Sequence, residues 1–317
     1  MKNMNKLSIL LLTLAGASLT ACNSGASGAS TPNSTNLAHN ESSVKSTQDT
    51  SLGHNIGLVI TKDGNLDFYK DDKFISTVWK FEDTPTAVRI ASVGDLATNK
   101  PLVAYIATRD GDGILKRCTA APLSGDGMDC VTIDRFKDPV SAANLDENGD
   151  GYAISIGDDF DDDYSTVSKY VNNKLIDSKK IFRRLLDRTS LPVYSNGLEV
   201  YNDTLYFVNG KSRLLKYTFG GKLDTLAKLD KNLFSFSVDK DLNGYGIGEH
   251  SLYHILAGGD LERVHTFEDL PLNLSSTGSW IYVVTDGEEL KKCDTGGNCS
   301  TIDKFGSTPM GVSFRAL

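Results

Sequence analysis

The segment Leu290–Phe305 constrains the fold more than any other, because the chain contains a second copy of it. It reads LKKCDTGGNCSTIDKF, and Leu115–Phe136 has the same start, LKRC, and a matching end, CVTIDRF, around a longer central loop. Two distant segments therefore occupy the same position in a repeated structural unit. The fold is expected to be a repeat array.

The other units are short alternating strands separated by Gly, Asn and Asp, a pattern typical of β-sheet proteins. The clearest copies begin at Gly197, Phe234 and Leu272, and two longer copies begin at Ala87 and Val140. Hardly any stretch of this region has the period of a helix. The sequence therefore predicts an all-β fold with five complete units.

A sixth unit is divided between the two ends of the chain. Gly311–Phe314 is an opening strand with nothing after it, whereas Ile56–Ile60 begins a unit that has no opening strand. Pairing of the C-terminal strand with the N-terminal blade closes the ring and leaves no unpaired sheet edge. Six repeats of roughly 36 to 54 residues predict a six-bladed β-propeller over residues 56–317.

Two segments carry a family resemblance, namely Ser235–Gly248, SFSVDKDLNGYGIG, and Asn196–Gly221, NGLEVYNDTLYFVNGKSRLLKYTFGG. They resemble the six-bladed propellers of the NHL, TolB-like and SMP-30 group. The resemblance covers nearly all of the chain after residue 55. Its motifs are structural, so it implies a fold and not an activity.

Residues 1–21 have the three parts of an export signal: two lysines, a short apolar run and a stretch of small residues. The residues LTA followed by Cys22 resemble the bacterial lipobox, in which the cysteine is acylated and becomes the new N-terminus. The resemblance implies a lipidated Cys22, and several acyl chains on one residue give stable anchoring. Asn23 stands where inner-membrane retention would favour Asp, so we expect the outer membrane, with the domain in the periplasm or outside.

Residues 22–55 are predicted to be a flexible tether behind the lipidated cysteine. They are rich in Ser, Thr, Asn, Gly and Ala and have almost no large apolar side chains. Such a segment cannot bury enough surface to offset the entropy of ordering it. The predicted organisation is therefore signal peptide 1–21, tether 22–55 and propeller 56–317.

The four remaining cysteines form an even set, which in an exported chain predicts two disulfides. Three pairings are possible. The duplicated motif selects Cys118 with Cys130 and Cys293 with Cys299, because each pair then has the same position in its own unit. A zinc site is the alternative, although neither pair has C-x-x-C spacing.

The net charge of the chain is −8, and removal of the signal with its two lysines makes it more acidic. An acidic chain has no basic stripe for nucleic acid, and anionic lipid headgroups would repel it. No nucleic-acid partner is therefore expected. Contact with the membrane is expected through the lipid anchor alone.

The segment DENGDG alternates carboxylate and amide oxygens, as calcium loops do. Its candidate ligands are Asp146, Asn148 and Asp150, together with Asp158 from the acidic run that follows. The closing ligand is missing, because Gly157 stands where an EF-hand needs Glu and Ile154 where an integrin-type loop needs Asp. A polar turn between two strands is the alternative. Calcium is the cofactor that this segment suggests.

A second metal site follows only from the family resemblance. SMP-30-like enzymes hold Ca²⁺ or Zn²⁺ on the propeller axis with carboxylate and Asn ligands, and Asn196 matches the motif that supplies one Asn. The matching acid of the next unit is not found, because Phe234 and Ser235 stand where an Asp is expected. The resemblance therefore implies one axial ligand out of several.

The folded region contains neither a Gly-x-Ser-x-Gly nor a His-Glu-x-x-His motif. The leading hypothesis is a membrane-anchored envelope lipoprotein that acts as a non-catalytic binding or scaffold propeller for a protein or a surface glycan. The alternative is a metal-dependent lactonase or hydrolase of the SMP-30-like type. A stably bound divalent ion would discriminate between the two.

Overall fold

The computed structural model describes residues 54–95, 97–108, 113–121, 126–156, 164–182, 197–209 and 212–317. These residues form 24 strands in six four-stranded antiparallel sheets and contain no helix. Within this part of the chain, nothing helical is therefore long and apolar enough to cross a bilayer. All described residues belong to the compact unit Thr50–Leu317. The predicted signal peptide, Cys22 and nearly all of the tether lie outside them.

The six sheets are numbered here as blades 1 to 6, and each is given from its innermost to its outermost strand. Blade 1 contains β24 (Pro309–Ala316), β1 (Asn55–Thr61), β2 (Asn65–Lys70) and β3 (Lys73–Lys80). Blade 2 contains β4 (Pro85–Ser92), β5 (Leu102–Thr108), β6 (Ile114–Ala120) and β7 (Asp129–Arg135). Blade 3 contains β8 (Val140–Leu145), β9 (Gly151–Ile156), β10 (Tyr164–Val171) and β11 (Lys174–Phe182).

The other three blades follow the same order. Blade 4 contains β12 (Leu198–Tyr201), β13 (Thr204–Asn209), β14 (Arg213–Thr218) and β15 (Leu223–Lys228). Blade 5 contains β16 (Ser235–Val238), β17 (Gly244–Gly248), β18 (Ser251–Ile255) and β19 (Leu261–Thr266). Blade 6 contains β20 (Pro271–Ser276), β21 (Trp280–Thr285), β22 (Glu289–Asp294) and β23 (Cys299–Lys304). The prediction of an all-β, six-bladed propeller is confirmed.

Ring closure occurs in blade 1, as the division of the sixth unit predicts. Strand β24 pairs antiparallel with β1, in a register that runs from Asn55 opposite Ala316 to Thr61 opposite Pro309. The C-terminal strand thereby becomes the inner strand of the first blade. Blade 1 therefore has four strands like the other five blades, and no unpaired strand interrupts the ring of inner strands.

The hydrophobic core lies between the blades. Among the described residues the buried apolar side chains form six clusters, and each cluster joins two neighbouring blades. In the cluster between blades 3 and 4, for example, Tyr152 and Val167 pack with Leu198 and Leu205. A blade cannot bury both of its faces alone, so each blade depends on its two neighbours and the ring is stabilised as a whole.

Both predicted disulfides are formed. Cys118 bonds Cys130 across β6 and β7, and Cys293 bonds Cys299 across β22 and β23. Each bond therefore links the third and fourth strands of its blade at the same position. This is the common position that the duplicated motif requires.

The Asp of the duplicated Thr-Ile-Asp segment also has the same role in both copies. Asp134 in blade 2 accepts a 2.6 Å hydrogen bond from the hydroxyl of Tyr170 in blade 3. Asp303 in blade 6 accepts a 2.6 Å hydrogen bond from the hydroxyl of Tyr69 in blade 1. The repeat thus preserves a contact between an outer-strand carboxylate and a tyrosine of the following blade.

These two tyrosines are expected to make the fold sensitive to alkali. Burial, and then the hydrogen bond to the Asp carboxylate, raise the pKa of Tyr69 and of Tyr170. Stability is therefore fully present below the unfolded pKa of about 10 and is lost above it, because only the unfolded chain releases these protons. Each tyrosine contributes a slope of up to about 1.4 kcal/mol per pH unit.

Urea unfolding between pH 8 and 11 measures this slope. We expect Tyr170→Phe to lower the slope above pH 10 by about 1.4 kcal/mol per pH unit, since one proton fewer is released on unfolding. Tyr69→Phe is the matched variant in the other copy of the motif and should behave alike. A slope that neither substitution changes would contradict the assignment.

Candidate functional site

The inner strands of all six blades surround a central channel, which is narrow in the middle and wider at one end. The narrow part has a volume of about 10 Å³ and is lined by residues of β4, β8, β12, β16, β20 and β24. The wider part is a cavity of about 420 Å³ at the C-terminal ends of five of these strands. Of these two parts, the wider one has room for a small ligand.

The wall of this axial cavity is rich in polar groups. Serine hydroxyls come from three inner strands, and aromatic and amide groups come from blades 4 and 5. The polar lining comprises Arg89, Glu199, Tyr201, Ser237, Asp239, Asn243, Tyr245, His254, Ser275, Ser276, Ser313 and Arg315. A cavity of this size falls within the range of small-ligand sites, which is about 300 to 1,000 Å³.

An ion pair crosses the axis at the base of the cavity. Arg89 of β4 donates from Nη1 and Nη2 to Oε1 and Oε2 of Glu199 in β12, at 3.3 and 2.9 Å. The Glu199 side chain is only 3% exposed, and Asn144 of β8 donates a further 3.4 Å hydrogen bond to it. Burial alone would lower the pKa of Arg89, but the attraction of Glu199 outweighs it and the net shift is upward. Arg89 therefore stays charged, and its contacts with Glu199, which also binds Asn144, join blades 2, 3 and 4 at the axis.

Arg315, at the end of β24, is the second cation of the cavity. Its Nη1 donates a 3.0 Å hydrogen bond to the backbone carbonyl of Ala91 in blade 2. Partial burial, and then repulsion by Arg89, lower the pKa of Arg315, although the guanidinium remains protonated at neutral pH. Two cations and one buried carboxylate thus meet at this end of the channel.

Aromatic side chains form one side of the cavity. Tyr245 and His254 stack with ring centroids 5.1 Å apart and planes inclined by 21°. Tyr201 donates its hydroxyl to the backbone carbonyl of Val238, and burial, followed by the nearby Glu199, raises its pKa to about 12. Tyr201 is therefore neutral at physiological pH and contributes an uncharged aromatic side to the cavity.

The predicted calcium loop forms the turn between β8 and β9. Oδ1 of Asp146 accepts 2.9 Å hydrogen bonds from the backbone N–H groups of Asn148 and Asp150. Oδ1 of Asp150 accepts a 2.7 Å hydrogen bond from the N–H of Asn172. These acceptors serve the turn, and no group of three metal-binding side chains is found among the described residues. Asp158 lies outside those residues, so the calcium site stays a prediction.

The same turn occurs elsewhere, which favours the structural interpretation. Asp239 accepts from the N–H groups of the second and fourth residues after it, Asp241 and Asn243. Asp294 does the same with Gly296 and Asn298. An Asp followed by polar and glycine residues is therefore a recurrent way of closing hairpins in this propeller.

The two remaining predicted functional residues, Cys22 and Asn196, lie outside the described residues, and both assignments stay predictions. The axial ion pair and Arg315 were not predicted. A signal for them exists in the sequence, because Arg89 and Glu199 are charged residues within otherwise small or apolar opening strands. Charged groups rarely enter a buried strand without a partner, so such positions identify axial residues.

The fold and the polar axial cavity define a class: a six-bladed β-propeller with a candidate ligand site at one end of its axis. No protein-family model and no curated protein matches the chain. A protein of unknown function from Bacteroides caccae superposes with a TM-score of 0.52 at 12% identity, over 83% of this chain and 98% of that chain. That similarity supports the fold and nothing further.

Two other solved structures are more loosely similar. Apo AztD from Citrobacter koseri has a TM-score of 0.44 at 10% identity, over 83% of this chain and 98% of that chain. BamB from Moraxella catarrhalis has a TM-score of 0.42 at 14% identity, over 79% of this chain and 86% of that chain. At these scores neither protein supports an argument about the function of this chain.

Proposed function

We propose that this chain is an exported, lipid-anchored propeller of the cell envelope that binds a surface glycan in its axial cavity and catalyses no reaction. The observation that carries the proposal is the polar cavity of about 420 Å³ at the ends of the inner strands. Hydroxyl, amide and guanidinium groups on its wall suit a ligand with many hydroxyl groups.

The envelope location rests on two features of different kinds. Disulfides persist in oxidising compartments, and this chain has one in blade 2 and one in blade 6. The lipobox resemblance at Cys22 adds a route to the membrane surface and favours the outer membrane. The predicted tether of residues 22–55 would then let the propeller reach a partner at some distance from the lipid.

A glycan is favoured over a protein partner by the distribution of apolar surface. Among the described residues the large exposed apolar side chains are scattered over all six blades: Phe74 and Ile75 in β3, Val131 in β7, Leu175 and Ile176 in β11, Leu226 in β15, Leu256 after β18, Trp280 in β21 and Leu317 after β24. Scattered apolar residues do not form the contiguous patch that a stable protein interface needs. The concave polar cavity is therefore the better candidate for a binding surface.

The charge of the cavity does not favour the lactonase alternative. The carboxylate of Glu199, which faces the axis, is bound by Arg89, and Arg315 lies in the same cavity. The two guanidinium groups offset the carboxylates of Glu199 and Asp239, so the described lining has no net negative charge to attract a divalent cation. An axial metal centre that uses Asn196 therefore stays a prediction without support from the described residues.

The binding function is tested with a cavity-blocking substitution. Ser276 is half-buried at the end of inner strand β20 and lines the cavity, so Ser276→Trp would fill its mouth. Ser300→Trp, on the exposed outer strand β23 of the same blade, is the matched control. We expect glycans on a printed array to bind the purified full-length chain and the Ser300→Trp variant, and to bind the Ser276→Trp variant at least about tenfold more weakly.

Absence of glycan binding by the unmodified chain would overturn the proposed function. Equal binding by Ser276→Trp would place the site elsewhere and would overturn its assignment to the cavity. Turnover of a bound glycan would contradict a non-catalytic role. Thermal unfolding of both variants shows whether they remain folded, which keeps a loss of binding interpretable.

A further inference from the structure

The charged side chains that line the axial cavity differ in their hydrogen-bond and ion-pair partners. Arg89 and Glu199 neutralise each other through two hydrogen bonds at 3.3 and 2.9 Å. Asp239 belongs to the turn between β16 and β17, where its Oδ1 accepts from two backbone N–H groups at 2.8 and 3.0 Å. Arg315 is the remaining charged side chain of the described lining.

Arg315 has no anionic partner within the described part of the chain. The one hydrogen bond that its guanidinium makes there is the 3.0 Å bond from Nη1 to the carbonyl of Ala91, a neutral acceptor. A guanidinium has five N–H donors, so most of the hydrogen-bonding capacity of Arg315 faces the cavity and solvent. Burial and the repulsion of Arg89 lower the pKa of Arg315 against the attraction of Glu199, and a bound anion would offset the repulsion of Arg89.

The serines around Arg315 provide complementary groups for the rest of a ligand. Ser313 accepts a 2.9 Å hydrogen bond from the backbone N–H of Ile90, which leaves its hydroxyl hydrogen free to donate. Ser237 and Ser276 lie at the ends of the neighbouring inner strands and line the same cavity. Hydroxyl groups donate and accept, as the hydroxyls of a sugar do. A cation beside several hydroxyls fits a ligand that has both a carboxylate and a polyol.

We infer that the axial cavity recognises a hexuronate, an acidic sugar whose carboxylate is bound by the guanidinium of Arg315. This inference rests on the proposed glycan-binding function and specifies its ligand class. The Arg315 guanidinium forms no ion pair with a described residue, and its planar fork matches the two oxygens of a carboxylate. The Arg89–Glu199 pair has a positioning role, since it holds the base of the cavity in place.

Calorimetric titration of the purified full-length chain with D-glucuronate and D-galacturonate, each compared with the neutral sugar D-glucose or D-galactose, tests the inference. A charge-assisted hydrogen bond predicts about 10- to 100-fold tighter binding of at least one uronate than of its neutral counterpart. Arg315→Gln should reduce the ratio of uronate affinity to neutral-sugar affinity to about one, because the charged partner of the carboxylate is then lost. Arg315→Lys should retain part of the preference, because it keeps the charge but not the fork.

Arg135→Gln is the matched control, because it removes the same charge from an exposed position on the outer strand β7. It should leave the uronate preference intact. Equal binding of uronates and neutral sugars, or a preference that survives Arg315→Gln, would overturn the inference while the glycan-binding function stands. If none of these sugars binds but other glycans do, the uronate assignment fails alone. If no glycan binds at all, the proposed function fails with it.

Discussion

Replacing Arg89 by Met is expected to lower the free energy of unfolding by about 3 to 5 kcal/mol, because it leaves the Glu199 carboxylate buried without its cation. The Glu199 side chain is 3% exposed and accepts two hydrogen bonds from Arg89, so the substitution removes both its counter-charge and its two closest donors. The remaining donor, the amide of Asn144 at 3.4 Å, is long and neutral. Urea unfolding at pH 7 measures the loss.

A double variant distinguishes the cost of the unpaired charge from the cost of lost side-chain packing. We expect Arg89→Met combined with Glu199→Met to recover most of the lost stability, because no buried charge is then left unpaired. Lys222→Met is the control for an exposed pair, since Lys222 and Asp224 are 85% and 52% exposed and lie 3.2 Å apart. It should cost less than about 1 kcal/mol. A loss of that small size in Arg89→Met would contradict the buried ion pair.

The propeller itself could be predicted because its signals are local or duplicated. Alternating apolar residues and Asn-Asp or Asp-Gly turns define the strands, and the two halves of the sixth unit at the chain ends predict the closure that β24 and β1 make. The disulfides followed from the same logic, because two copies of one motif must pair their cysteines in the same way.

The axial site could not be predicted in the same way, because its residues are distant in sequence. Arg89 and Glu199 are 110 positions apart and belong to blades 2 and 4. Only the curvature of the closed ring brings them together, and no local pattern encodes that curvature. Arg315 is brought into the same cavity by the pairing of the last strand with the first blade.

For the segment DENGDG, the sequence shows the candidate calcium ligands but not the contacts that they make. The alternating oxygens of Asp146, Asn148 and Asp150 are visible in the sequence, but their hydrogen-bond partners are not. In the structure, Oδ1 of Asp146 and Oδ1 of Asp150 accept backbone N–H groups of the hairpin and of a neighbouring turn. A composition that suits a hard cation also suits a tight turn, and only the three-dimensional contacts show how the oxygens are used.

Phe314 packs where the ring closes, and Phe314→Ala is expected to lower the free energy of unfolding by about 3 to 5 kcal/mol. The ring of Phe314 is 2% exposed and stacks on Tyr282 of blade 6, with centroids 3.7 Å apart and planes inclined by 4°. It also fills the space above Gly57, where a Cβ atom would overlap it. Truncation would therefore open a cavity at the junction between the last strand, the first blade and blade 6.

Phe74→Ala provides the matched control. Phe74 lies in the same blade and, like Phe314, packs against the ring of Tyr69, but it is 50% exposed. It should cost less than about 1 kcal/mol, since its ring leaves no enclosed cavity when it is removed. Denaturant unfolding of the two variants compares an interior and a surface position with identical chemistry. Similar losses would contradict a closure that depends on Phe314. A loss confined to Phe314→Ala would show that the packing of β24 against blade 6 adds to its hydrogen bonds with β1 in keeping the ring closed. The closed ring in turn holds Arg315 in the wall of the cavity.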